Sequence, residues 1–192
     1  MGVKLAAASG GSIELVPTNT ASNFTVTVPA VTATMLTTAT AGVPVNGPAF
    51  SAYANASQSL TSSAFTKVAI NVELFDTNSN FDSTTNYRFT PTVEGYYQVN
   101  GTLRMTAATS SLSQALVALF KNGAIYARGS DTVLTTTLPI VAISGAFNEV
   151  VYMNGSTDYI ELYGSVTGTT PTFAFVNANV TSRFSAVMVR GA

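Results

Sequence analysis

The chain has 192 residues, 46% of them hydrophobic and only 9% charged, against about 25% charged in an average soluble domain. Eight basic and nine acidic side chains leave a net charge of −1, which excludes the basic footprint of a nucleic-acid or anionic-membrane binder. Neither cysteine nor histidine occurs, so disulfides, thiolate metal sites and imidazole chemistry are excluded as well.

This length suits one sandwich domain plus a short extra segment. Residues 15–66 carry no charge, yet Thr, Ser, Asn and Pro interrupt them every few positions. No apolar stretch approaches the ~20 residues of a membrane span, so no membrane insertion is expected. Met1-Gly2-Val3-Lys4-Leu5-Ala6 has no signal-peptide core of adequate length, nor the Ser or Thr that myristoylation wants at the sixth position. The Asn-x-Ser/Thr triplets at Asn23, Asn55, Asn100, Asn154 and Asn179 then read as by-products of composition rather than glycan sites.

In chain order, residues 1–46 form a first unit. Gly10-Gly11-Ser12-Ile13-Glu14-Leu15-Val16-Pro17 and the stretch 23–34, with Asn23-Phe24-Thr25-Val26-Thr27-Val28-Pro29, predict two short alternating strands joined by a polar turn. A lone two-stranded piece is marginal. Three copies around an axis would bury the Phe24, Val26 and Val28 face that one copy exposes.

From residue 47 onward everything reads as strand and turn, and no window carries a capped 3.6-residue apolar period. Strands are predicted over residues 50–56, 66–75, 87–90, 95–106, 115–121 with 124–128, 134–154, 159–167 and 182–190. Turn chemistry separates them at Asp76-Thr77-Asn78-Ser79-Asn80, Lys121-Asn122-Gly123, Asn154-Gly155-Ser156 and Gly168-Thr169-Thr170-Pro171. Asn122-Gly123 is the strongest hairpin signal, because both residues tolerate positive φ. Many short strands without a helix predict an all-β sandwich or barrel.

Three ordered anchors carry a family resemblance. Ile70, Asp76, Phe81, Phe89 and Gly95-x-Tyr97 follow Pro48-Ala49-Phe50-Ser51-Ala52-Tyr53; then comes Gly155-Ser156-Thr157-Asp158-Tyr159-Ile160-Glu161-Leu162; Phe184-Ser185-Ala186-Val187-Met188-Val189 closes the chain. Residues 47–192 thereby resemble the globular head of complement component 1q, within the tumour-necrosis-factor-like jelly rolls. The pattern departs at Ile70, which replaces a Phe, at an extra residue between Phe81 and Phe89, and at Val99 and Gly101, which replace aromatics. The resemblance implies a jelly-roll β-sandwich, a homotrimer, and core or trimer roles for Phe50, Tyr53, Phe89, Tyr96, Tyr97, Tyr159 and Phe184. Tyr96 and Tyr97 are expected to face opposite sides of their strand. The segment 10–34 is similar to one found in tailed-bacteriophage virion proteins ahead of a fibre or receptor-binding domain.

Catalysis is not expected. No base exists for a serine triad, and the close carboxylate pairs, Asp158 with Glu161 and Asp76 with Asp82, read as a strand entrance with its outer face and as a turn cap. No cofactor or metal site is expected within one chain; Asp131 or Asp82 could gather only across a three-fold axis. Binding loops are expected at 77–85, 107–114, 129–137 and 167–179.

The functional expectation is a trimeric virion protein on the surface of a tailed bacteriophage, assembled in the host cytoplasm. Residues 1–46 would attach to other capsid or tail proteins, and residues 47–192 would project as a capsid decoration or head fibre. The alternative is a tail-fibre tip that recognises a host surface glycan or protein.

Overall fold

The computed structural model describes residues 3–6, 12–15, 47–135, 140–175 and 181–192, and every regular element among them is a β-strand. The chain divides into two units, Met1–Thr37 and Thr38–Ala192. In the first, β1 (Val3–Ala6) pairs antiparallel with β2 (Ser12–Leu15), placing Lys4 opposite Glu14. β2 is the first strand expected from the sequence, but its partner among the described residues is β1, which the sequence reading did not assign as a strand. The second expected strand, with Phe24, Val26 and Val28, lies outside the described residues.

In the second unit β3 (Ala49–Tyr53), β6 (Val72–Asp76), β9 (Glu94–Thr106), β12 (Ala142–Asn154) and β15 (Arg183–Gly191) form one antiparallel sheet in the order β12-β9-β15-β3-β6. Beyond the end of β15, β14 (Thr172–Phe173) and β4 (Gln58–Ser59) continue the sheet beside β9. The second sheet runs β11 (Ala124–Val133), β10 (Gln114–Lys121), β13 (Ile160–Thr167), β8 (Arg88–Phe89), β7 (Phe81–Asp82), with β5 (Thr66–Lys67) also on β13. Eight of the twelve connections from β3 to β15 cross between the sheets, and the product is a jelly-roll sandwich, as the sequence predicts.

Alternation explains the core. Along β9 the residues Tyr97, Val99, Leu103 and Met105 are fully buried, while Tyr96, Gln98, Asn100 and Thr102 face outward. Phe50 is fully buried and stacks on Phe81 at 4.4 Å and Phe89 at 4.7 Å, with Phe184 edge-on at 5.2 Å. The departures from the family pattern are filled locally. Ile70 is fully buried. Gly101 pairs with Phe147 of β12, whose ring occupies the space a side chain at 101 would need. The aromatic missing from one strand is supplied by its neighbour.

Several boundaries differ from expectation. The 66–75 strand breaks into β5 and β6, because Ile70 dives into the core and its N–H bonds Val68 O at 2.9 Å instead of a ladder partner. β11 runs on to Val133, so residues 129–133 of one expected loop are strand; the Ser130 hydroxyl and Ala146 N–H tie β11 to β12 there. The following strand starts at Ala142 rather than at residue 134. At the hairpin, Asn122 and Gly123 take φ of 54° and 79°, as the sequence predicts.

Candidate assembly interface

One surface of the second unit is conspicuously apolar. On the outer face of the β12-β9-β15 sheet, Tyr152 stands opposite Tyr96, Val150 opposite Gln98, and Val187 opposite Gln98 from the other side. Tyr96 is 42% exposed, and Val150, Tyr152, Val187 and Val189 are exposed to similar degrees. A groove of about 480 Å³ opens among them, lined by Tyr96, Val150, Val189, Arg190, Gly191 and Ala192. The two tyrosine rings meet edge-to-face at 5.6 Å. The Tyr152 hydroxyl donates to the Glu94 carboxylate, and that bond raises its pKa. Burial pushes Tyr97, on the opposite side of the strand, up to about 12, with its hydroxyl donating to Val93 O.

Besides Glu94, this face carries three arginines. Arg183 stands opposite Thr102 and Arg190 opposite Tyr96, and Arg104 lies on the same outward register of β9. None of the three forms an ion pair among the described residues, and Arg104 Nε is buried without an acceptor.

Elsewhere the few carboxylates are committed to structure. Burial raises the Asp158 pKa, but the Lys121 ammonium at 2.8 Å, Asn122 and the Asn154 N–H outweigh it and hold it low. Glu161 is 3% exposed and paired with Lys67 at 2.5 Å. It does lie on the outward register of β13, but the segment carrying β5 lays Lys67 over it. Asp82 is held well below the usual carboxylate range by the N–H groups of Thr85 and Thr84 and by the Asn86 and Thr84 side chains. Asp76 caps its turn by accepting from Asn78 N–H and Phe81 N–H, as expected. Glu94 accepts from Tyr152, Glu73 from Ser83 and Asp131 from Gln114. Among the carboxylates of the second unit's described residues, Glu149 has no hydrogen bond or ion pair.

Of the residues assigned from sequence to core or trimer, Phe50, Phe89, Tyr97 and Phe184 are core. Tyr96 is the one that lies squarely in the apolar patch. Tyr53 is half-buried opposite Arg183 on the same sheet. Tyr159 is half-buried under the Arg88 guanidinium, 4.5 Å from its ring, at the other sheet. Sequence reasoning missed Val150, Tyr152, Val187 and Val189; all four are adjacent to apolar residues of the opposite face, so alternation could not phase them. Of the expected binding loops, those at 107–113 and 167–171 come together, Ala108 N–H bonding Thr169 O. The 77–85 loop is interrupted by β7, and residues 136–139 and 176–180 lie outside the described residues.

No family model and no curated protein matches this chain. Solved structures do. The chain is similar to Eiger TNF from S. frugiperda at 11% identity and a TM-score of 0.54, covering 78% of this chain and 95% of that one. It is similar to murine APRIL at pH 5.0 at 10% identity and a TM-score of 0.51, covering 74% and 99%. The fold of residues 47–192 is therefore the tumour-necrosis-factor-like jelly roll.

Proposed function

We propose that this chain is a homotrimeric structural protein of a tailed-bacteriophage virion. Residues 1–46 attach it to other virion proteins, and the jelly-roll head projects as a capsid decoration or head fibre. The observation that carries the assembly reading is the patch of Tyr96, Val150, Tyr152, Val187 and Val189, apolar and open to water in a single chain. A face of this kind is an expected site of protein contact. The virion setting is supported by the sequence, whose segment 10–34 resembles phage virion proteins and whose head carries no histidine or cysteine. Three weak contacts related by a three-fold axis add up to firm attachment through effective concentration.

Mass spectrometry of purified virions tests the setting directly: the protein is expected as a stoichiometric component, and its absence would sink the proposal. Purified protein is expected to bind naked capsids and leave adsorption of phage to cells untouched. Block of adsorption without capsid binding would instead favour the tail-fibre tip with a host glycan or protein as partner.

A further inference from the structure

The cations of the second unit fall into two groups. Lys67 and Lys121 hold carboxylates, and Arg88 and Arg128 lie over aromatic rings. Arg104, Arg183 and Arg190 have neither among the described residues. Arg190 is exposed at the rim of the apolar groove, where water serves it. Arg104 and Arg183 are both half-buried. Arg183 pairs with Thr102, two positions from Arg104, so the two arginines lie diagonally on adjacent strands of one face. Diagonal neighbours are about 7–8 Å apart, within reach of long side chains, and like charges so placed repel unless an anion joins them.

The surroundings supply everything such an anion needs except the anion. The Arg104 Nε–H is buried without an acceptor, a costly state for a charged donor. Ser144 on β12 stands opposite Arg104, Thr102 lies beside both arginines, and Tyr53 on β3 stands opposite Arg183. None of these three hydroxyls is committed to another group among the described residues. Glu94, the carboxylate of this face, is roughly 33 Å from Arg104 along β9 at ~3.3 Å per residue, and it accepts from Tyr152. The pair also selects a shape. A carboxylate offers two coplanar oxygens, which one guanidinium fork fills. A tetrahedral oxyanion offers oxygens outside one plane, enough for two forks arriving from different strands and for the hydroxyls beside them.

We propose that Arg104 and Arg183 bind a tetrahedral oxyanion, phosphate or sulfate, over the junction of β9 and β15, with the Ser144 and Thr102 hydroxyls beside it. The site is complete within one chain and does not rest on the trimeric reading. It lies on the face that carries the apolar patch, so filling it removes a repulsion that would oppose covering that face.

The test is calorimetric titration of the full chain with sodium phosphate at fixed ionic strength, with circular dichroism confirming that each variant is folded. Saturable binding of one phosphate per chain is expected, with a Kd of about 1 mM or below, and sulfate should compete for it. Arg104→Gln and Arg183→Gln are each expected to weaken binding by at least about tenfold. Arg104→Lys keeps the charge and loses the fork, and is expected to weaken it by at least about fivefold. Arg190→Gln, on the same face but exposed, should change it by less than about twofold. Glycerol phosphate, run beside inorganic phosphate, separates a free anion from a phosphoryl group carried on a larger molecule; binding of either one upholds the oxyanion site. Heat that fails to saturate by about 20 mM phosphate overturns the proposal. So does Arg190→Gln weakening binding as much as Arg104→Gln, or binding that survives both arginine-to-glutamine changes.

Discussion

Replacing Tyr96 by Ser measures what the apolar patch does. Tyr96 is 42% exposed in the single chain. An aromatic side chain has roughly 200 Å² to bury, so about 85 Å² of Tyr96 is available to a neighbour. At about 25 cal/mol per Å² its coverage contributes roughly 2 kcal/mol per contact. Three equivalent contacts per ring make this roughly 6 kcal/mol, or more than four decades in the trimer association constant. Because that constant scales with the square of concentration, half-dissociation should move up about 100-fold. The fold itself should barely notice, since within the chain Tyr96 touches mainly the Tyr152 ring. Light scattering coupled to a dilution series reads the shift, and thermal melting at a fixed dilute concentration reads the monomer. A variant whose dissociation midpoint stays within a few-fold of the parent would refute the patch as the contact.

Phe50→Ala removes the centre of the aromatic cluster and should cost about 3–5 kcal/mol, lowering the melting temperature by roughly 10 °C; a chemical denaturation curve checks it. Lys67→Met leaves Glu161 buried and uncompensated, an expected loss of about 3–5 kcal/mol, much of which Lys67→Met/Glu161→Leu should recover in the same assay. The folded Asp82 has a depressed pKa, so its contribution is present above the unfolded value near 4 and is lost as pH falls toward the folded one. Asp82→Asn should therefore flatten the stability profile below about pH 4 and lower stability at neutral pH, by a modest amount because the group is largely solvated. Gly123→Ala, at φ 79°, should destabilise the β10–β11 hairpin by about 1 kcal/mol, detectable as faster amide exchange at Asn122 and Ala124.

Where one residue type has one conformational job, the sequence was legible: Asn122-Gly123 fixed its turn, Asp76 its cap, and Tyr96-Tyr97 the phase of β9. Legibility failed where the decisive neighbour is remote. Glu161 reads as an exposed carboxylate from its strand, and only the passage of residues 63–67 along β13 buries it. Val150-Val151-Tyr152-Met153 is apolar on both registers, so the outward pair is indistinguishable from the core pair until β12 is seen at the edge. On β15 the irregular pairing between Met188 and Arg190 defeats a simple two-residue count. The unpaired state of Glu149 and the arginines could not be read at all, since it depends on what every other charge is doing.

The way the chain enters the head has a mechanical side. Gly47 lies at the end of the sandwich near Met188, and the 107–113 and 167–171 loops lie at the other end, beyond Thr106 and Thr167. A load drawn between the entry point and those loops runs along β3, which sits between β15 and β6. All of its rungs are then strained together in shear instead of opening one by one. Under a load so directed, β3 would have to part from both neighbours at once.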